Sequence, residues 1–177
     1  AAAGLALRAT FAVHDARDPL PFDVNSFDAV VCIDSINHIF DRAPVFAEWF
    51  RVLRPGGRVW FTDPAVVSGP LRRDEIIARS LAMGEFVFTP EGRDEGLLRD
   101  AGFVDVMSED LTEGIVGVAG RWRTARREFS AELDAIEGPD QNAAFQTFLT
   151  AVSDLSVQHR LARYALLATK PSSSDGS

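Results

Sequence analysis

Short apolar runs bounded by turn residues alternate along this chain with longer stretches in which apolar positions recur every three or four residues. Thr10 to His14 (TFAVH) and Phe27 to Ile33 (FDAVVCI) are such runs, as are Arg58 to Thr62 (RVWFT), Phe103 to Met107 and Leu161 to Thr169. Each is too short for a helix of ordinary length, and near-continuous Val and Ile suits a strand buried on both faces of a parallel sheet. Between them, Val45, Phe46, Trp49, Phe50 and Leu53 fall at helical spacing, with Asp41 as a candidate cap and Pro55-Gly56-Gly57 as the stop. Leu71 to Met83 predicts a second helix. Thr89-Pro90-Glu91 reads as the N-cap and first turn of a third, which ends at Gly102. Two further helices follow, Thr124 to Ile136 and Gln141 to Leu155, separated by Gly138-Pro139-Asp140. Five strands with helices between them predict an α/β fold whose sheet is mostly parallel.

Composition narrows the class. A length of 177 residues suits one domain, and a formal net charge of −8 disfavours nucleic acid or an anionic membrane as the main partner. No apolar run approaches a membrane span. Cys32 is the single cysteine, so an intrachain disulfide is impossible and a cytoplasmic location fits best. Three histidines and one cysteine show no metal-ligand spacing. Ala1 to Ala9 reads as the end of a helix, and Pro171 to Ser177 as a disordered polar tail behind a domain of residues 1–170.

Three stretches resemble the class I, Rossmann-like S-adenosylmethionine-dependent methyltransferases. They are FAVHDARDPLPF (Phe11 to Phe22), SFDAVVCIDSINHIFDR (Ser26 to Arg42) and WFRVLRPGGRVWFTDP (Trp49 to Pro64). The Leu-Arg-Pro-Gly-Gly turn is the most specific of these. FTPEGRDEGLLRDAGF (Phe88 to Phe103) is similar to the helix before the family's sixth strand, and ARYALLATKP (Ala162 to Pro171) to its seventh. A nicotinamide-dependent oxidoreductase would share the architecture, but that turn and the Ile33-Asp34-Ser35 loop are not its marks. The family also opens with a glycine-rich loop and an acidic residue that hold the cofactor, and neither occurs here. The resemblance therefore implies a three-layer sandwich that lacks the family's first two strands, as a partial methyltransferase domain. It implies methyl transfer to a small molecule once an upstream segment completes the cofactor site. The alternative is a non-catalytic remnant or binding module that keeps the second half of the fold.

The same resemblance assigns candidate site residues. Asp15 would accept a hydrogen bond from the adenine of S-adenosylmethionine, with the Ala16 backbone beside the ring. Asp34 and Ser35 would lie beside its methionine moiety. His38 would touch both cofactor and substrate, orienting the nucleophile or taking its proton. Each has a plainer reading as well: a turn aspartate, a polar strand-to-loop transition, a histidine bonded to backbone at a helix start. His14 and His159 read as structural and surface residues. Phe86, Phe88 and Trp122 fall where such proteins lid their pockets, although core packing is the simpler role.

Family strand order is 3-2-1-4-5-7-6, so the missing strands belong between Thr10–His14 and Phe27–Ile33. That gap predicts one of three outcomes. Another chain or segment supplies the strands, Thr10–His14 moves to pair with Phe27–Ile33, or the bare edge pairs with a second copy as a homodimer.

Overall fold

The computed structural model describes residues 8–172. The helix end expected at Ala1–Ala9 and the tail expected at Pro171–Ser177 fall mostly outside them. Among the described residues there are five strands: β1 Phe27–Ile33, β2 Leu53–Val67, β3 Thr89–Pro90, β4 Val104–Asp110 and β5 Leu161–Thr169. Their order is β1-β2-β5-β4, with the two-residue β3 paired to β2. β1 and β3 run parallel to β2, and β5 runs antiparallel to both β2 and β4. Four strands thus share one direction and β5 alone opposes them, as a mostly parallel sheet requires. The order reproduces the 4-5-7-6 portion expected from the family.

Six α-helices accompany the sheet among the described residues. They are α1 Ala43–Val52, α2 Arg73–Met83, α3 Arg93–Asp100, α4 Thr112–Glu128, α5 Ser130–Glu137 and α6 Pro139–Val157. A single 3-10 turn, Ile36–His38, lies between β1 and α1. α1 and α3 cover one sheet face, where Phe46, Trp49 and Leu98 pack on Val59, Phe61 and Leu166. Phe46, Trp49 and Phe61 form an aromatic cluster with ring centroids 5.2 to 5.6 Å apart. A second cluster, Ala119, Phe148, Leu149 and Val152, joins α4 to α6.

The opposite sheet face is largely bare. Register aligns Val31, Trp60, Leu167 and Met107 into one cross-strand row. Val31 and Met107 are exposed, and Trp60 and Leu167 are half-buried. The described residues therefore supply two of the three expected layers.

Several local expectations are corrected. Thr10–His14 is not a strand: the segment is irregular and Phe11 and Val13 are fully exposed. A strand needs a neighbour to receive its backbone hydrogen bonds, and none lies beside it. It has not moved to β1, whose outer edge stays open in the single chain. Of the three outcomes expected for that edge, the move of Thr10–His14 onto β1 is thus ruled out. Asp41 does not cap α1; the cap position falls to Arg42, whose side chain turns into the core. Pro55-Gly56-Gly57 does not lie outside the strands but forms a bulge within β2, where Gly56 has φ +78°. A side chain at Gly57 would come within 2.8 Å of the Arg54 carbonyl. Thr89-Pro90 pairs with β2 rather than capping a helix, and α3 starts after left-handed Gly92. The helix expected from Thr124 starts twelve residues earlier and breaks at Phe129.

Candidate active site

The carboxyl ends of β1 and β2 meet the amino end of β5, the position where open α/β sheets bind ligands. Asp34 follows β1 in a left-handed conformation, φ +51°, which after glycine asparagine and aspartate hold most readily. Its backbone N–H donates to the Thr62 hydroxyl, 3.1 Å, and that hydroxyl donates to Asp34 Oδ1, 2.5 Å. Arg163 closes the arrangement with a two-pronged pair, Nε to Oδ1 at 3.1 Å and Nη2 to Oδ2 at 3.0 Å. The elbow after β1 is thereby pinned to β2 and β5 at once.

Ser35 folds back, its hydroxyl donating to the Ile33 carbonyl at 3.2 Å. His38 is exposed, and its Nδ1 lies 2.7 Å from the Glu85 carbonyl. A carbonyl only accepts, so Nδ1 carries a proton, and in the neutral tautomer that results Nε2 keeps its lone pair. A second bond, Val87 N–H to the Asn37 carbonyl at 2.7 Å, fastens the 85–87 segment to the same turn.

Beside this elbow lies a cavity of about 260 Å³ roofed by α2, α4 and α6. Asp34, Asn37, Arg79 and Arg163 give it a polar end. Pro64, Ile115, Val118, Trp122, Phe148 and Val152 make most of the rest apolar. Asn37 is 1% exposed, and its Oδ1 has no hydrogen-bond partner. A buried acceptor of that kind calls for a donor, from water in the cavity or from a bound molecule.

Asp15 and Ala16 are not drawn into this cluster. Both are exposed on the irregular segment before β1, and Asp15 is engaged by Arg17 through Nε at 3.0 Å and Nη2 at 2.6 Å. That guanidinium holds the Asp15 carboxyl far below the usual carboxylate range. Of the lid candidates, Phe86 and Phe88 are half-buried and stack edge to face, 4.8 Å apart. Trp122 is more than half exposed on the cavity wall, so core packing does not describe it. His14 and His159 are exposed, away from the cavity lining. Among the described residues no cluster of His, Cys, Asp or Glu could hold a metal ion, and no helix is long and apolar enough to cross a membrane.

Four residues of the site escaped the sequence reading: Asn37, Thr62, Arg79 and Arg163. Arg163 left one signal, a charge interrupting the apolar run of β5. Arg79 sat at a helical position where an arginine reads as solvated.

Comparison with known proteins adds to this geometry. Residues 1–61 match the family described as a methyltransferase domain. The chain is 30% identical over 166 residues to 27-O-demethylrifamycin SV methyltransferase of Amycolatopsis mediterranei, covering 93% of this chain and 60% of that protein. It is 34% identical over 134 residues to sarcosine/dimethylglycine N-methyltransferase of Halorhodospira halochloris, covering 71% of this chain and 42% of that one. Among solved structures, it is similar to Haemonchus contortus phosphoethanolamine N-methyltransferase 2 in complex with S-adenosyl-L-methionine. There the TM-score is 0.77 at 23% identity, over 89% of this chain and 36% of that one. The chain spans less than two thirds of the length of each of these relatives. The fold is that of the Rossmann-like, class I methyltransferases.

Proposed function

We propose that this chain belongs to a cytoplasmic, S-adenosylmethionine-dependent methyltransferase that acts on a small molecule. The observation that carries the reading is the pinned Asp34 elbow, which with Asn37 lines a largely apolar cavity at the carboxyl ends of the strands; His38 follows on the same turn, outside the lining. When bound, S-adenosylmethionine supplies an electrophilic methyl group on a sulfonium. The orphaned Asn37 Oδ1 suits a ligand that brings an N–H or O–H donor to this end of the sheet.

In this reading the backbone of Asp34 and Ser35 lies along the methionine side of the cofactor, and Asp15 with Ala16 takes the adenine side. Arg163 and Thr62 fix the elbow so that its geometry is set before the ligand arrives. His38 accepts the nucleophile's proton at Nε2, while the Glu85 carbonyl holds the ring in the tautomer that allows it. The apolar walls around Ile115 and Val152 keep water from competing with the acceptor. The bare β1 edge and the row from Val31 to Met107 would be covered by further strand–helix units of a longer chain, or by a second copy.

The test is methyl transfer from labelled S-adenosylmethionine to a panel of small amines, alcohols and phenols, using the full-length protein that contains this chain. His38→Ala should lower turnover roughly 10²- to 10⁴-fold, as loss of a general base does, with binding of S-adenosylhomocysteine kept. Unchanged turnover removes His38 from the chemistry. Failure of the full-length protein to bind S-adenosylhomocysteine overturns the reading itself.

A further inference from the structure

Arg79 lies on α2 with 4% of its surface exposed, and its guanidinium reaches the wall of the cavity. It makes no ion pair among the described residues, and its Nε is buried without an acceptor. Its carbon Cζ stands 4.7 Å from the Phe86 ring centroid and 5.4 Å from that of Phe148. Aromatic rings interact with the flat face of a guanidinium; they leave its in-plane N–H groups to find oxygen elsewhere.

Two carboxylates, Asp63 and Asp34, lie close enough to favour the charge, against a burial that disfavours it. Both are already committed. Asp63 Oδ2 accepts from Arg42 and its Oδ1 from the Ala65 N–H. Asp34 gives its oxygens to Thr62 and to both prongs of Arg163. The Asp34–Arg163 pair is internally neutral, so the charged residues of the cavity lining sum to +1. Behind them Arg42 is shared by Asp63 and Asp94, whose second negative charge offsets Arg79 without meeting its N–H groups. Buried charges are ordinarily paired by direct contact, and Arg79 has none among the described residues.

We propose that the methyl acceptor carries an anionic oxygen group, a carboxylate or a phosphate, that seats on Arg79. Its apolar body lies along Ile115, Val118, Trp122 and Val152. The proposal rests on the methyltransferase reading for the word acceptor; the anion site itself stands on Arg79 and its neighbours.

Calorimetric titration of the full-length protein that contains this chain, without cofactor, tests it. The probes are octanoate, octyl phosphate and the neutral octanamide. At least one anion should bind about ten-fold or more tightly than octanamide, the gain expected of a charge-assisted pair. The order of octanoate and octyl phosphate tells carboxylate from phosphate. Arg79→Met should abolish the preference, bringing the anions down to the affinity of octanamide, while Arg79→Lys keeps part of it. Equal affinity of the wild type for anion and amide overturns the proposal, as does no binding of any probe, or a preference that survives Arg79→Met. If Arg79→Met fails to fold by circular dichroism, the wild-type comparison decides alone. S-adenosylhomocysteine binding by the full-length protein is a separate measurement, so failure of the methyltransferase reading is told apart from failure of the anion site.

Discussion

Arg42 and Arg79 are both almost wholly buried, and they keep opposite company. Arg42, at the start of α1, donates to Asp63 on β2 at 2.7 Å and to Asp94 on α3. One guanidinium thereby ties two helices to the sheet. Arg79 is boxed by aromatic rings, faces a cavity and touches no anion. A paired buried charge fastens elements of the fold. An unpaired one beside empty space is poised for a ligand. The same side chain at the same burial thus serves two ends, and its partners alone separate them.

The largest effect should come from breaking the paired site. Arg42→Met leaves Asp63 and Asp94 buried without their cation and should cost about 3 to 5 kcal/mol, read as a lowered midpoint of urea unfolding. A loss as small as that of an ordinary surface substitution would remove the distinction between the two arginines.

A smaller effect should appear with pH. Burial pushes Asp94 up to about 6, against the pull of Arg42. Its folded value lies above its unfolded value near 3.8, so the folded state binds the proton more tightly. That contribution is fully present below pH 3.8 and is lost as pH rises through about 6. The change is about 2 to 3 kcal/mol by the usual conversion. Glu48 and Glu75, held below the usual range by Arg51 and Arg160, act in the opposite direction as pH falls. The comparison is therefore wild type against Asp94→Asn, whose stability should lack this slope between pH 4 and 6. Parallel pH profiles for the two would show that Asp94 does not titrate there.

The smallest effect should come from the unpaired site. Arg79→Met removes an unpaired charge and keeps a stem that can pack on Phe86 and Phe148, so stability should change by less than about 1 kcal/mol. A loss equal to that of Arg42→Met, again by urea unfolding, would make Arg79 a structural residue.

How far the chain could be read in advance follows the same division. β1 and β5 match the expected runs residue for residue, because Val- and Leu-rich segments bounded by turns have few other places to go. Thr10–His14 has a similar local pattern and is no strand, since pairing depends on neighbours that its own residues do not specify. The first half of α4, TEGIVGVAGRW, hid its helix behind three glycines; packing on α6 overrides their poor propensity. Asp34, Ser35 and His38 follow β1 as the run Phe27 to Ile33 and the family resemblance led one to expect, and of the three Asp34 lines the cavity. Arg79 was not legible: nothing in IIARSLAM separates an arginine facing solvent from one facing a cavity.

The bare row from Val31 to Met107 and the free edge of β1 also govern how this chain behaves in company. An unpaired strand flanked by exposed Val31 and Ile33 is a template on which another β1 can add, turning a folding surface into a colloidal one. What holds copies apart is the formal charge of −8, a repulsion that reaches only about 10 Å in 0.1 M salt. Solubility of the isolated chain is therefore set by ionic strength: dilute buffer keeps the molecules dispersed, and added salt, by screening that charge, lets the open strands find one another.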